Sequence, residues 1–282
     1  MRRGLPIIIF ASMFFALMVL CTKFISSSIP SSEIVFFRSL VGALAVLFYV
    51  LVSRDRRALV SGNKRVLFWR GIVGALAQLF WFYSLERIPA ASATLLNNSY
   101  PIFAVLLGMI FLSESVLFGT VLSLVISVIG LVIVLFPIPY GMSPGYLAGL
   151  MSGLFAGIAI LNIRKLRETD SAWVIFLSFS FGGLLLSAPF TFYNFINPTS
   201  VQWFILFLVG LFSVGGQMFL TYAYKFAAPA EGSTVAMSTT IFVGILGFVF
   251  LKEILTLKFI IGASLVLGGG VYLIIKERLV GE

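Results

Sequence analysis

The sequence predicts an all-helical integral membrane protein: ten transmembrane helices arranged as two inverted five-helix repeats, with both termini cytoplasmic. Three observations carry this reading: a composition too apolar for a water-facing surface, uncharged runs of spanning length, and a residue set that recurs at a fixed spacing. Of 282 residues, 60% are hydrophobic and only 10% are charged, where soluble chains carry about a quarter charged residues. Mean hydropathy is +1.12, and 19 basic plus 10 acidic side chains cannot clothe a soluble fold of this length. Lipid must be the solvent for most of the surface.

A helix crossing a hydrocarbon core of about 30 Å needs about 20 apolar residues. Uncharged intervals of that length place spans at 4–25, 33–53, 66–86, 89–112, 116–136, 144–163, 172–193, 201–224, 231–251 and 256–275. The uncharged stretch from Ser115 to Ile163 is too long for one helix, and Pro137, Pro139, Gly141 and Pro144 break it. The stretch from Ser171 to Tyr224 divides likewise at Asn194, Asn197 and Pro198. At the N-terminus, Arg2 and Arg3 precede an uncharged run from Gly4 to Thr22 with no convincing small-residue cleavage site. A first span is expected there rather than a leader. The connections are short and leave no room for an extramembrane domain.

Basic loops stay cytoplasmic. With both termini inside, the inner set is Arg2, Arg3, Arg54, Arg56, Arg57, Lys64, Arg65, Arg70, Arg164, Lys165, Arg167, Lys225, Lys276 and Arg278, and the outer set is Lys23, Arg38, Arg87, Lys252 and Lys258. That imbalance fixes the expected orientation, and the expected location is a bacterial-type cytoplasmic (inner) membrane. Trp69, Trp173 and Trp203 fall near helix starts, as interfacial indoles do.

The repetition is explicit. Gln78, Tyr83, Glu114 and Gly130 recur 139 residues later as Gln217, Tyr222, Glu253 and Gly269, and Pro89 recurs one residue further on as Pro229. The expected division is residues 1–140 and 141–282. A five-span unit is odd, so its copy enters the membrane in the opposite sense, and the halves are related by an axis in the membrane plane. Such symmetry makes the two sides interchangeable, which alternating access requires.

Several motifs then stand in a recognisable order. They are a first span ending in Lys23, Phe36-Phe37-Arg38 opening the second, Ala90-Ala91-Ser92-Ala93 followed by Tyr100-Pro101, and Leu112-Ser113-Glu114 before a glycine-bearing fifth span, with the echo Phe250-Leu251-Lys252-Glu253. Together they resemble the drug/metabolite transporter superfamily and, more narrowly, the EamA-type ten-helix permeases, across nearly the whole chain. The first span departs from that pattern, with Met18 and Val19 where a Trp-Gly pair is frequent. The resemblance implies a secondary carrier with a central cavity built by the third, fourth, eighth and ninth helices. The substrates it implies range over amino acids, nucleotide-like compounds including S-adenosylmethionine, and amphipathic toxins.

Polar groups are costly in lipid unless they face protein, water or ligand, and this selects the candidate substrate-binding residues. In the third helix Gln78 and Trp81 share a face with Leu85, with Phe82 beside them; the repeat mate presents Gln217, Leu220, Thr221 and Tyr224. Amides supply donors and acceptors, and the indole supplies a stacking face. Tyr83 and Tyr222 point away from that face and read as packing. The fourth helix carries Asn97, Asn98, Ser99, Tyr100 and Pro101 near its centre, where the proline frees the carbonyl of Asn97. The ninth carries Met237, Ser238, Thr239 and Thr240. Lys23 and Arg38 are expected as charges at the outward mouth, where they would snorkel or attract an anionic or carboxylate-bearing substrate. Glu114 and Glu253 end the fourth and ninth helices on opposite sides and read as gate or capping residues. Gly145, Gly149, Gly153 and Gly157 recur every four residues and read as a close-packing face.

Composition excludes much else. One cysteine, Cys21, and no histidine leave neither a disulfide framework nor a multi-cysteine metal site nor the commonest general base, so no cofactor or metal is expected. Every carboxylate lies at a helix end or in a loop, which favours exchange or facilitated movement over proton coupling. The basic residues lie between apolar runs rather than on a nucleic-acid-binding patch. The expected partners are a small-molecule substrate and the bilayer, for a monomer or homodimer. A membrane-embedded enzyme would need clustered nucleophiles, acids or metal ligands, and a channel or lipid scramblase a polar stripe across the whole membrane. The sequence offers midplane amides and aromatics instead, which suit a carrier of a small metabolite such as an amino acid or a nucleoside-like or S-adenosylmethionine-like compound.

Overall fold

Side-chain chemistry divides each helix into a lipid face and a packing face, and the computed structural model follows that division. It describes residues 4–55, 59–112, 118–135, 143–167, 169–223, 226, 232 and 235–280. Among these there are no strands, and the helices are α1 (Gly4–Ile25), α2 (Ser31–Ser53), α3 (Lys64–Arg87), α4 (Ala90–Asn97), α5 (Tyr100–Leu112), α6 (Phe118–Leu135), α7 (Pro144–Leu166), α8 (Ala172–Tyr193), α9 (Ser200–Ala223), α10 (Ser238–Leu251) and α11 (Leu257–Val280). Six of them, α1, α2, α3, α7, α8 and α9, are long and apolar enough to cross a membrane. Leu44, Phe48 and Leu51 of α2, and Ile241, Ile245 and Phe248 of α10, stand exposed at helical spacing. Such apolar stripes are tolerable only against lipid.

The fourth expected span, 89–112, is not one helix. It is interrupted between α4 and α5, where Asn98 adopts φ −73° and ψ 1° and Ser99 donates its hydroxyl to the carbonyl of Leu96 at 2.6 Å. Pro101 explains the break, since it lacks the N–H that would continue the ladder to Asn97. The ninth expected span, 231–251, is helical without interruption only from Ser238, where α10 begins one residue after a turn at Met237.

Packing is pairwise. α1 lies along α9 and α3 along α7; α2 packs on α8, α6 on α11, α4 and α5 against α7, and α10 against α1. Small residues let backbones touch, as is usual where no hydrophobic drive separates helix from lipid. A Cβ placed on Gly71 of α3 would meet the Ser178 carbonyl oxygen at 2.6 Å, and one on Gly182 of α8 would collide with the Gly71 carbonyl. The expected glycine ladder of α7 works this way. Gly149 and Gly153 receive Leu96, and Gly157 receives Phe103 and the Tyr100 carbonyl, so the α4–α5 break rests on the ladder. Serines supply cross-links: Ser178 donates to the Leu67 carbonyl at 3.0 Å, and Ser123 to the Gly269 carbonyl at 2.6 Å.

Outside the spans, Asp170 joins the α7–α8 turn to the α2–α3 connection. Its carboxylate accepts from the Ser61 hydroxyl, from Gly62 N–H at 2.9 Å and from the Thr169 hydroxyl at 2.8 Å. Burial alone pushes this carboxyl up, but the hydrogen bonds from Ser61, Gly62 and Thr169 together outweigh it and hold the carboxyl below its usual range.

Two outcomes follow from this packing. Gly182→Val wedges α8 from α3 and is expected to cost about 1–3 kcal/mol, the usual range for overpacking; an unchanged melting temperature in detergent contradicts the contact. Because the folded carboxyl of Asp170 titrates lower than the unfolded one, its stabilisation is present above about pH 4 and is lost as pH falls through the folded value. Asp170→Asn is therefore expected to lower stability at neutral pH and to converge with the wild type in acid; a constant difference across pH contradicts this.

Candidate functional site

The interruption between α4 and α5 leaves polar side chains at mid-depth, and they face a cavity. Its empty volume is about 840 Å³ counting the open space at its mouth. Gln78 and Trp81 of α3, Asn97, Asn98 and Tyr100 around the break, Gln217 of α9 and Thr239 of α10 all line it. Seven of the residues selected from sequence thus come together. Phe15, Phe179 and Ile160 supply apolar wall. Asn98 donates from Nδ2 to the Thr240 hydroxyl at 3.0 Å, so the fourth span is tied at its break to the first turn of α10.

Gln78 donates from Nε2 to Ser39 at 3.4 Å, while its Oε1 and the indole Nε1 of Trp81 are buried without a partner. Buried polar atoms are normally paired, so these two are available to a ligand. Thr240 stands behind the lining, bonded to Asn98. Thr221 is also absent from the lining: it donates to the Gln217 carbonyl at 2.7 Å, the back-bond common for threonine in apolar helices. Tyr224 and Glu114 lie outside the described residues. Tyr222 is exposed, with its ring 5.2 Å from that of Phe226.

The two cations expected at a mouth have different fates. Lys23 does not line the cavity: it donates to the Ile88 carbonyl at 2.9 Å and lies 3.9 Å from Glu253. Arg38 is inside the cavity, 4% exposed, over the rings of Phe82 and Phe179. Its position eight residues into α2 is too deep for the side chain to reach an interface. Arg70, counted from sequence among the inner loop cations, also lines the cavity, is 4% exposed and lies over Phe179. The available signal was its place a full turn and a half inside α3, past Lys64 and Arg65.

The two ends of the bundle differ. At the end where α1 turns into α2, a hydrogen-bonded network closes the helices together. Lys252 adopts a left-handed turn (φ 55°), and the Glu253 N–H folds back on the Gly247 carbonyl at 3.1 Å. This aims the Glu253 carboxylate at the N-terminus of α4, where it accepts from Ala90 N–H at 2.9 and 3.0 Å. Negative charge is favoured there. Nearby, Glu33 accepts from Ile196 N–H and Glu86 from Ser31 N–H, each at 3.1 Å. None of these network residues lines the cavity. Its lining runs from mid-depth toward Arg70, Leu220 and Ile163, in the direction of the opposite end.

Comparison with known proteins agrees with this architecture. The model of the EamA-like transporter family matches residues 2–136 and again 143–275. The pseudopaline exporter CntI of Pseudomonas aeruginosa is 30% identical over 282 residues, covering 98% of this chain and 94% of that protein. An uncharacterized transporter of Helicobacter pylori is 30% identical over 286 residues, covering 98% and 96%. An S-adenosylmethionine uptake transporter of Rickettsia prowazekii is 22% identical over 259 residues, covering 91% and 87%. A solved crystal structure superposes with a TM-score of 0.68 at 16% identity, covering 96% of this chain and 98% of that one, and shares the fold. A chain matched twice by one transporter family, with relatives named as transporters along its whole length, is a multi-pass membrane protein, and it belongs to the EamA-like transporter family of the drug/metabolite transporter superfamily.

Proposed function

We propose that this protein is a secondary carrier that moves a small metabolite across the cytoplasmic membrane by alternating access around the midplane cavity. The observation that carries the reading is the cavity's asymmetry: it is walled from one end by the Lys23–Glu253–Ala90 network and continues toward the other. A carrier needs a site reached from one side at a time, whereas a pore needs a continuous polar path. The basic loops assign the continuing end to the cytoplasm. The substrate-lining group is Gln78, Trp81, Asn97, Asn98, Tyr100, Gln217 and Thr239, with Thr221 and Thr240 behind or beside it. The relatives' names, a pseudopaline exporter and an S-adenosylmethionine uptake transporter, support small-molecule cargo, for which an amino acid or a nucleoside-like or S-adenosylmethionine-like compound is the reading proposed.

The two halves are read as inverted repeats, 1–140 and 141–282. The packing pattern supports this. Exchanging α1 with α7, α2 with α8, α3 with α9, α4–α5 with α10 and α6 with α11 turns the α1–α9 contact into α7–α3. It turns α10–α1 into α4–α5 against α7, and maps α2–α8 and α6–α11 onto themselves. The loop carboxylates pair in the same sense. Glu33 at the start of α2 holds the α8–α9 connection through Ile196, and Asp170 before α8 holds the α2–α3 connection through Gly62.

The test is counterflow in proteoliposomes, with labelled substrate outside and unlabelled substrate inside. Saturable uptake accelerated by the internal substrate is expected of a carrier; uptake linear in concentration and indifferent to it contradicts the proposal. Gln78→Ala or Asn97→Ala is expected to raise half-saturation about two- to tenfold, the worth of a neutral hydrogen bond. Trp81→Ala is expected to weaken binding by about 1–3 kcal/mol if a ring stacks there; wild-type values in all three remove them from the site. Glu253→Gln is expected to increase labelling of a cysteine placed at Ala91 by an impermeant maleimide applied from outside, with Cys21 replaced by serine. Unchanged labelling contradicts the gate.

A further inference from the structure

We infer that the cavity takes an organic polyanion, a small molecule with at least two acid groups and an apolar body, and that Arg38 and Arg70 hold its charges. The inference rests on the carrier reading of the cavity and names the substrate class it serves. The two arginines are 4% exposed and line the same space. Among the described residues neither has a carboxylate partner, and Arg38 Nε, Arg70 Nε and Arg70 Nη1 are buried with no hydrogen-bond acceptor. Removing a charge from water is offset only by a well-placed counter-charge and further hydrogen bonds. Among the described residues the protein supplies neither.

What it supplies is aromatic surface. The Arg38 guanidinium carbon lies 5.5 Å from the Phe82 centroid and 5.2 Å from that of Phe179, and the Arg70 carbon lies 4.8 Å from Phe179. Ring faces offset part of the cost of one cation, not of two beside a single ring that also repel each other. Yet the site is built to keep them. A Cβ on Gly74 would fall on Arg70 Nη1 and lie 2.9 Å from Phe179, so the absence of a side chain at Gly74 clears the seat of the guanidinium. The arrangement is complete only when anions occupy it.

The geometry defines the ligand further. α2 and α3 run antiparallel, and Arg38 and Arg70 sit about 10 Å and about 9 Å from opposite ends of the bundle at 1.5 Å rise per residue. They reach Phe179 from opposite directions, and a ligand between them presents an acid group to each. Guanidinium forks match carboxylates bidentately. Phe15, Trp81 and Ile160 leave apolar wall that an inorganic anion would waste, and Gln78 Oε1, buried without a partner, accepts one N–H or O–H from the ligand. Positions 139 residues on from the two arginines are Leu177 and Val209, so the charge belongs to the first half alone. A net cation such as S-adenosylmethionine or a polyamine is disfavoured.

The full-length protein in detergent is titrated with citrate and with glutamate, against glutamine, S-adenosylmethionine and spermidine, following the melting temperature. Citrate and glutamate are expected to raise it with concentration, while the neutral and cationic probes leave it unchanged. Arg38→Gln and Arg70→Gln are each expected to weaken the citrate effect at least tenfold, since a charge-assisted pair is lost. Arg38→Lys and Arg70→Lys keep the charge and are expected to weaken it less, and they serve as the readout if a glutamine variant does not fold. Gly74→Ala is expected to weaken it while retaining the monodisperse elution of the wild type. The inference is overturned if neither citrate nor glutamate stabilises the wild type, if the lysine variants and Gly74→Ala respond as the wild type does, or if S-adenosylmethionine or spermidine stabilises more than citrate. Counterflow separates the two readings. Citrate binding without counterflow contradicts the carrier and leaves the polyanion assignment standing, whereas counterflow of a neutral solute that Arg38→Lys leaves unchanged does the reverse.

Discussion

Water does not reach the middle of a bilayer, so every polar group buried there must be satisfied by protein or by something the protein binds. Most of this chain obeys the rule internally: helices close their own backbone ladders, and hydroxyls such as Thr22 and Ser187 donate back to carbonyls one turn earlier. The exceptions are concentrated. Among the described residues, the α4–α5 break, the free amide oxygen of Gln78, the Trp81 indole N–H and the guanidinium groups of Arg38 and Arg70, which lack a carboxylate partner, face one cavity, while Glu33 Oε1 and the hydroxyls of Ser84, Thr94 and Ser238 are left open elsewhere. The guanidinium and amide groups left open within the bundle thus gather at one cavity, the place where a ligand would satisfy them.

The same constraint shapes the ends. At the α1–α2 end, water and charged groups meet, and carboxylates are affordable only when bonded: Glu253, Glu33 and Glu86 each accept a backbone N–H from another segment. These bonds are few and sit at element termini. Their loss costs little compared with unpacking α3 from α8, where glycines bring backbones into contact. On the carrier reading proposed above, helix pairs that stay packed and ends that release are the combination that rocking motions use.

Much of this was legible in the sequence because lipid solvation imposes a one-dimensional signal. Uncharged length signals apolar helices, six of which are long enough to cross a membrane, and the four-residue glycine period of α7 signals its contact face. The α4–α5 break was visible only as a kink, since Pro101 indicates a missing bond without saying how far the ladder parts. Arg70 was hidden by its neighbours. Beside Lys64 and Arg65 it reads as a loop cation, although a turn and a half of helix separates it from them. Arg38 reads from sequence as a charge at a mouth, because sequence does not tell whether a long side chain runs out toward an interface or in toward a ring such as Phe179. Thr221 and Thr240 follow the right periodicity, yet their hydroxyls bond to a backbone carbonyl and to Asn98, a choice made by three-dimensional proximity.

The central claim is that the two ends open in alternation around this cavity. The most direct test is the distance between spin labels across each end in reconstituted protein with Cys21 replaced, one pair at Arg87 and Lys252 and the other at Arg65 of α3 and Tyr222 of α9, which flank the end toward which the cavity continues. Two populations at each pair are expected, with the long distance at one end accompanying the short distance at the other and ligand shifting both together. A single unchanging distance at each end, or long distances at both ends at once, contradicts the account.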